Sequence, residues 1–106
     1  MNKLLSMLGL CQKAGKLKSG EFSTETAVKA GTAWLVVLAG DASNNTKKKF
    51  IDMCSFYETD WIEYGTKETL AQAIGKGERS SLAICDEGFA TSIKKLSAQL
   101  ENKAEE

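Results

Sequence analysis

Two short apolar runs do most to restrict how this chain can fold: Trp34-Leu35-Val36-Val37-Leu38-Ala39 and Ser81-Leu82-Ala83-Ile84-Cys85. Both are rich in strand-forming residues and lack the apolar-polar alternation of a half-solvated strand. They therefore predict central strands covered on both faces. Covering two faces takes two layers of helix, and the rest of the sequence supplies them.

Behind Asn2, a good capping residue, Leu4, Leu5, Leu8 and Cys11 recur at helical spacing until Ala14-Gly15 ends the segment. Leu17 falls in a short edge strand. Ser19-Gly20 opens a second helix, roughly Glu21 to Ala30, which Gly31 closes. Ser43 or Asn44 caps a third, with Phe50, Cys54 and Tyr57 as its apolar stripe and Ile51 and Met53 beside it. Trp61-Ile62-Glu63-Tyr64 alternates as a short strand. Thr66 caps a fourth helix running to Ile74, with Glu68 in its first turn but one residue too early for a capping box. After Gly88 a last helix carries Phe89, Ile93 and Leu96 on one side. Strands alternating with helices imply an α/β fold with helices on both sides of the sheet. Residues 1–100 are expected to form one domain, with a polar, frayed tail over 101–106.

Several functional classes are excluded at this level. The chain has no histidine, which removes every His-based nucleophile system. Cys11, Cys54 and Cys85 are far apart and unpaired by spacing, so they read as buried reduced thiols, with no metal site. Gly75-Lys76-Gly77 lacks the spacing of a Walker loop, and no Gly-x-Gly-x-x-Gly follows the first strand. Asp86-Glu87 stands at a strand end, where adjacent carboxylates point apart and suit helix capping better than catalysis. Asp41 alone makes a weak cation site. No cofactor is expected. No apolar run reaches membrane length, and Met1–Leu10 is too short and too weakly flanked by basic residues to be a secretory signal. A cytoplasmic protein that contacts no membrane is the expectation.

Formal net charge is zero, but the charges are divided. Residues 1–50 hold eight lysines against three carboxylates, a balance of +5, and residues 51–106 a balance of −5. Such a split can place one basic face on a neutral protein; it can also reflect lysines that merely solvate helices.

Ser19-Gly20-Glu21, the spacing of eleven positions from Gly20 to Gly31, and Ala33-x-Leu35-Val36-Val37-Leu38-Ala39-x-Asp41-Ala42-Ser43 together resemble the ribosomal-protein family that binds kink-turn RNA. The likeness is greatest to its bacterial YlxQ-like branch. Asn44-Asn45-Thr46-Lys47-Lys48-Lys49, Asp52-Met53-Cys54, Ala73-Ile74-Gly75-Lys76 and Asp86-Glu87-Gly88-Phe89-Ala90 extend it over residues 3–98.

The resemblance implies a three-layer α/β/α sandwich around a mixed four-stranded sheet, without catalytic activity. It further implies that structured, kink-turn-like RNA such as ribosomal RNA is the ligand, with no DNA, and that the ribosome or other translation components are candidate partners. The RNA-gripping segments of the family map onto 20–26, 40–45 and 75–81 here. From the first come Gly20, Glu21, Phe22, Ser23 and Thr26, flanked by Lys18 and Lys29. Asp41 and Ala42 come from the second, and Lys76, Gly77, Arg79 and Ser80 from the third. The residues themselves suit that role: a helix start offers free N–H groups, Gly20 lets backbone approach RNA, and Lys16 adds to the cations around it. All of these cations are expected on one face.

The chain departs from the family at three positions. Phe22 and Ser23 stand where Asn-Glu or polar substitutes are common, and Thr26 where lysine is common. Phe22 suits either stacking on a base or a hydrophobic staple against its helix. A protein-interaction module with the same fold, having lost kink-turn binding, is the alternative reading.

Overall fold

The computed structural model describes residues 2–105, with side-chain surroundings for 2–100. Its elements are α1 (Lys3–Lys13), β1 (Leu17–Ser19), α2 (Glu21–Lys29), β2 (Leu35–Leu38), α3 (Asn44–Tyr57), β3 (Asp60–Glu63), α4 (Lys67–Ile74), β4 (Ser81–Ile84) and α5 (Glu87–Glu105). The side chains of the tail expected at 101–106 lie outside the described residues.

The sheet order is β1-β4-β2-β3, with β2 parallel to β3 and β4 antiparallel to both β1 and β2. The two apolar runs are thus the two inner strands, and every residue of β2 and β4 is buried. Alternation along β2 assigns its side chains to two cores. Leu35 and Val37 join Leu82 and Ile84 of β4 under α1, α4 and α5, around Leu4, Leu8, Leu70 and Ile93. Val36 and Leu38 face the other way, toward Val28 of α2 and Phe50 and Cys54 of α3. The result is a three-layer α/β/α sandwich around a mixed four-stranded sheet, as the resemblance implies.

The helix ends follow the expected chemistry. Asn2 Oδ1 accepts from Leu5 N, and Ser43 Oγ accepts from Thr46 N, so Ser43 is the cap of α3. Gly31, at φ 76°, ends α2, with Thr32 N reaching back to Ala27 O. Asp86 Oδ2 accepts from Phe89 N at 2.9 Å, which settles that carboxylate as a helix cap.

Four expectations need correction. Trp34 lies outside β2 and is half-exposed, although its N–H donates to Ile84 O at the end of β4. Cys85 likewise lies just past β4 and is only partly buried. Tyr57 does not continue the buried stripe: α3 ends there, and its ring meets the exposed Phe56 edge-to-face at 4.9 Å. Thr66 does form a capping box, with Thr69 in place of the usual acidic partner; Thr69 Oγ1 accepts from Thr66 N at 2.9 Å.

All three cysteines are free. Burial pushes the Cys11 thiol up to about 12 and the Cys54 thiol to about 11, from an ordinary 9.0. Nearby Asp86 and Asp60 add to the respective shifts. Folding thus favours the neutral thiol, so stability is retained below pH 9.0 and lost as pH climbs through the folded values. Urea midpoints should fall across that window, less steeply for Cys11→Ala than for the parent chain. Parallel pH profiles would count against Cys11 as a source of the loss.

Candidate nucleic-acid interface

The C-terminal end of β2, the start of α2 and the N-terminal end of β4 lie at one edge of the sandwich, because β4 runs antiparallel to both β1 and β2. Three segments from distant parts of the sequence therefore meet there, and specific bonds fix them. Gly20 N donates to Ser81 O at 3.1 Å, and Ala39 N to Ser80 O at 2.9 Å. Asp41 Oδ1 accepts from Lys67 N at 2.8 Å, tying the loop after β2 to the start of α4. Beneath them the buried Ser81 hydroxyl bonds Thr24 Oγ1 of α2 at 3.3 Å.

Arg79 is the clasp of this edge. Its Nε donates to Ser19 Oγ at 3.1 Å, and the same guanidinium donates to Gly77 O and Glu78 O at 3.0 and 3.1 Å. It thereby joins the loop before β4 to the strand that feeds α2. Its positive charge stays at the edge, but its first task is to hold two segments together.

Gly20 occupies φ 95° and ψ 160°, a conformation closed to residues with a Cβ. It also supplies no side chain to cap α2. The first-turn N–H groups of Glu21, Phe22 and Ser23 therefore open outward at the positive end of the helix dipole, where acceptors bind well.

The expected site residues do not all gather here. Gly20, Glu21, Phe22, Ser23, Gly77, Arg79 and Ser80 belong to the edge, and Asp41 and Ala42 stand beside it. Ala42 is buried in the core rather than open to a ligand. Lys76 is exposed in the loop after α4. Lys18 projects from β1, exposed, one residue before Ser19. Lys29 lies at the other end of α2, about 12 Å from Glu21 at the usual helical rise, and is ion-paired to Glu25 at 2.9 Å. Thr26 donates its hydroxyl back to Phe22 O at 2.9 Å. Phe22 packs against nothing as a staple would: it is 82 % exposed.

Lys49 was not anticipated. It bridges Glu21 and Glu25 at 3.0 and 2.7 Å. Its hydrogen bonds, with those of Lys29, hold the Glu25 carboxyl below the usual range, and Glu25 and Glu21 raise the Lys49 ammonium in turn. Lys47 is also engaged, with Gly40 O at 2.7 Å and Glu63 at 3.2 Å. No local signal in the sequence pairs residues so far apart.

Among the described residues no cluster of His, Cys, Asp or Glu could hold a metal, and no helix is long and apolar enough to cross a membrane. The edge presents backbone amides, hydroxyls and a clamped guanidinium, which together make a recognition surface for acceptor-rich ligands.

The chain belongs to the ribosomal protein L7Ae/L30e/S12e/Gadd45 family, whose model matches residues 2–94. It is 40 % identical over 94 residues to the RNA-binding protein YlxQ of Enterococcus faecium, covering 89 % of this chain and 90 % of that one. It is 37 % identical over 90 residues to the protein of that name in Bacillus subtilis, covering 85 % and 90 %. A solved Bacillus halodurans protein of unknown function superposes with a TM-score of 0.87 at 38 % identity, over 91 % of this chain and 97 % of that one. A Giardia lamblia 15.5kD RNA binding protein shares the fold, with a TM-score of 0.75 at 18 % identity over 93 % and 85 %.

Proposed function

We propose that this is a non-catalytic RNA-binding protein that grips a sharply bent, kink-turn-like RNA with the start of α2 and the loops on either side of it. The observation that carries this is the uncapped helix start at Gly20, locked against the loop before β4 by Arg79 and by the Gly20–Ser81 bond. A preorganised row of N–H donors at a dipole's positive end matches phosphate and base acceptors. A bent RNA presents unstacked bases and widened grooves, which regular A-form helix conceals. The relatives carrying the name RNA-binding protein support the ligand class. We further propose that the RNA is ribosomal or otherwise part of translation, that the protein works in the cytoplasm, and that neither DNA nor membrane is its partner.

The second reading is a protein-interaction module. It is favoured by the neutralisation of Lys29 and Lys49 by Glu21 and Glu25, which leaves fewer free cations along α2 than the sequence suggests.

Gel shifts with a kink-turn hairpin, a hairpin of equal length that cannot kink, and a DNA hairpin of the kinked sequence separate these readings. The kinked RNA should bind tightest, and its affinity should fall with salt as condensed counterions are released. Equal affinity for both RNA hairpins would sink kink recognition, and absence of any RNA binding would leave the protein-interaction module ahead.

A further inference from the structure

The two flanks of α2 are unlike. On the flank toward α3, Glu21 and Glu25 are neutralised by Lys49, and Lys29 closes on Glu25. The opposite flank, beside β1, holds an open groove of about 260 Å³. Phe22 stands at one end of it and Thr32 at the other, with Thr26, Ala27 and Ala30 along the helix and Lys18 across from them. The groove exists because Ala27 and Ala30 put only methyl groups where longer side chains would fill it. Among the described residues, Lys18 is the only charged side chain lining it.

Of the three hydroxyls lining the groove, two are committed: Thr26 donates to Phe22 O at 2.9 Å and Thr32 to Ala27 O at 3.2 Å, and the third belongs to Ser23, next to Phe22. The walls therefore offer apolar faces, one cation at the rim, one serine hydroxyl, and an 82 % exposed phenyl ring.

We propose that this groove seats one unstacked nucleobase of the bound RNA, stacked on Phe22, with the attached phosphate drawn to Lys18. This rests on the RNA-binding reading and adds to it a subsite beside the helix start. The space falls below the 300–1,000 Å³ typical of pockets for drug-sized ligands, so it suits a single planar ring system. Charge complementarity fixes the occupant: a nucleotide joins a flat π-face to an anion, whereas an aliphatic side chain of a protein partner would leave Lys18 without a counter-charge. With the threonine hydroxyls used, the face of the base on Phe22 is the main contact, and Ser23 is the one side-chain hydroxyl left for a base edge. The subsite therefore holds an unpaired nucleotide by stacking more than by sequence.

The test uses the full chain and a kink-turn hairpin with 2-aminopurine at each unpaired position in turn. One labelled position should change its fluorescence on binding. Phe22→Ala should abolish that change and weaken binding about tenfold, within the range of a lost base–aromatic stack. Phe22→Tyr should keep both. Ala30→Leu, at the exposed C-cap of α2, fills the groove without touching Phe22 and should reproduce the Phe22→Ala loss. Circular dichroism should be unchanged for all three. Undiminished affinity and an unchanged fluorescence response in Phe22→Ala would overturn the subsite while leaving RNA binding standing. Loss in Phe22→Ala with none in Ala30→Leu would also overturn it, by placing the stack outside the groove. Failure of the parent chain to bind the hairpin would overturn the RNA reading and this subsite with it.

Discussion

Phe50→Ala should lower the unfolding free energy by about 3–5 kcal/mol, the usual cost of truncating a buried phenylalanine. Phe50 is fully buried and is the largest side chain of the cluster formed with Val28, Val36, Leu38 and Cys54. That cluster is the smaller of the two cores, and it is the apolar cluster that packs α2 and α3 on the sheet. Removing the ring leaves a cavity where few neighbours can collapse inward. Against a total stability of about 5–15 kcal/mol for a domain of this kind, such a loss is severe. Phe56→Ala is the matched control: six residues later in the same helix its ring is 79 % exposed, and its loss should stay within about 0.5 kcal/mol. Urea midpoints for the two variants measure the contrast. Similar midpoints would mean that the α2–α3 layer is not held by this ring.

Thr26→Lys should strengthen binding to the kinked hairpin, because a flexible lysine stem, unlike the leucine of Ala30→Leu, can swing out of the groove that position 26 lines and carry its charge to the RNA backbone. Position 26 lies about 9 Å along α2 from Gly20 at the usual rise per residue, and the family commonly carries lysine there. An added charge-assisted contact contributes roughly 1.5–3 kcal/mol at best, which is about tenfold to a hundredfold in affinity. Solvent and salt reduce the gain, and losing the Thr26 bond to Phe22 O costs little on an exposed helix face. The sharper readout is the salt dependence, whose slope should steepen by about one for one more phosphate neutralised. Titrations at two salt concentrations would show it. Equal affinities and equal slopes would mean that α2 does not face RNA at this position, and would favour the protein-interaction module.

The architecture was legible because its signals are local and redundant. Leu35–Leu38 and Leu82–Ile84 are buried on both sides, and uninterrupted apolar runs leave little else open to them. Asn2, Ser43, Thr66 and Gly31 mark helix ends through their own side-chain or backbone chemistry. Tyr57 was misplaced because a helical stripe in the sequence does not say where the helix outruns the sheet. The capping box at Thr66 was passed over because the hydroxyl of Thr69 does the work usually given to a carboxylate.

The candidate site was legible only in part, and the missing part is long-range. Arg79 reads as a free cation until its bond to Ser19, sixty residues away, becomes visible. Asp41 reads as a possible ligand until it is found on Lys67 N. Lys49 looks like charge available to RNA until the tertiary fold places it on Glu21 and Glu25, whereas the pairing of Lys29 with Glu25, four residues apart on one helix, is a local contact that spacing alone suggests. Whether Phe22 was a staple or an open platform depended on its surroundings, which sequence spacing does not contain.

The strand order has a consequence for how the protein comes into being. β1 and β2 are not neighbours; the last strand, β4, lies between them and pairs with both. While the chain is being synthesised from its N-terminus, the segments 17–19 and 35–38 have no common partner until residues 81–84 emerge. The bonds from Gly20 to Ser81, from Ala39 to Ser80 and from Arg79 to Ser19 all wait on that same event. A nascent chain thus cannot display the three-segment edge early: the surface that we assign to RNA is assembled only once residues 79–84 have joined the strands made before them, in the step that closes the sheet.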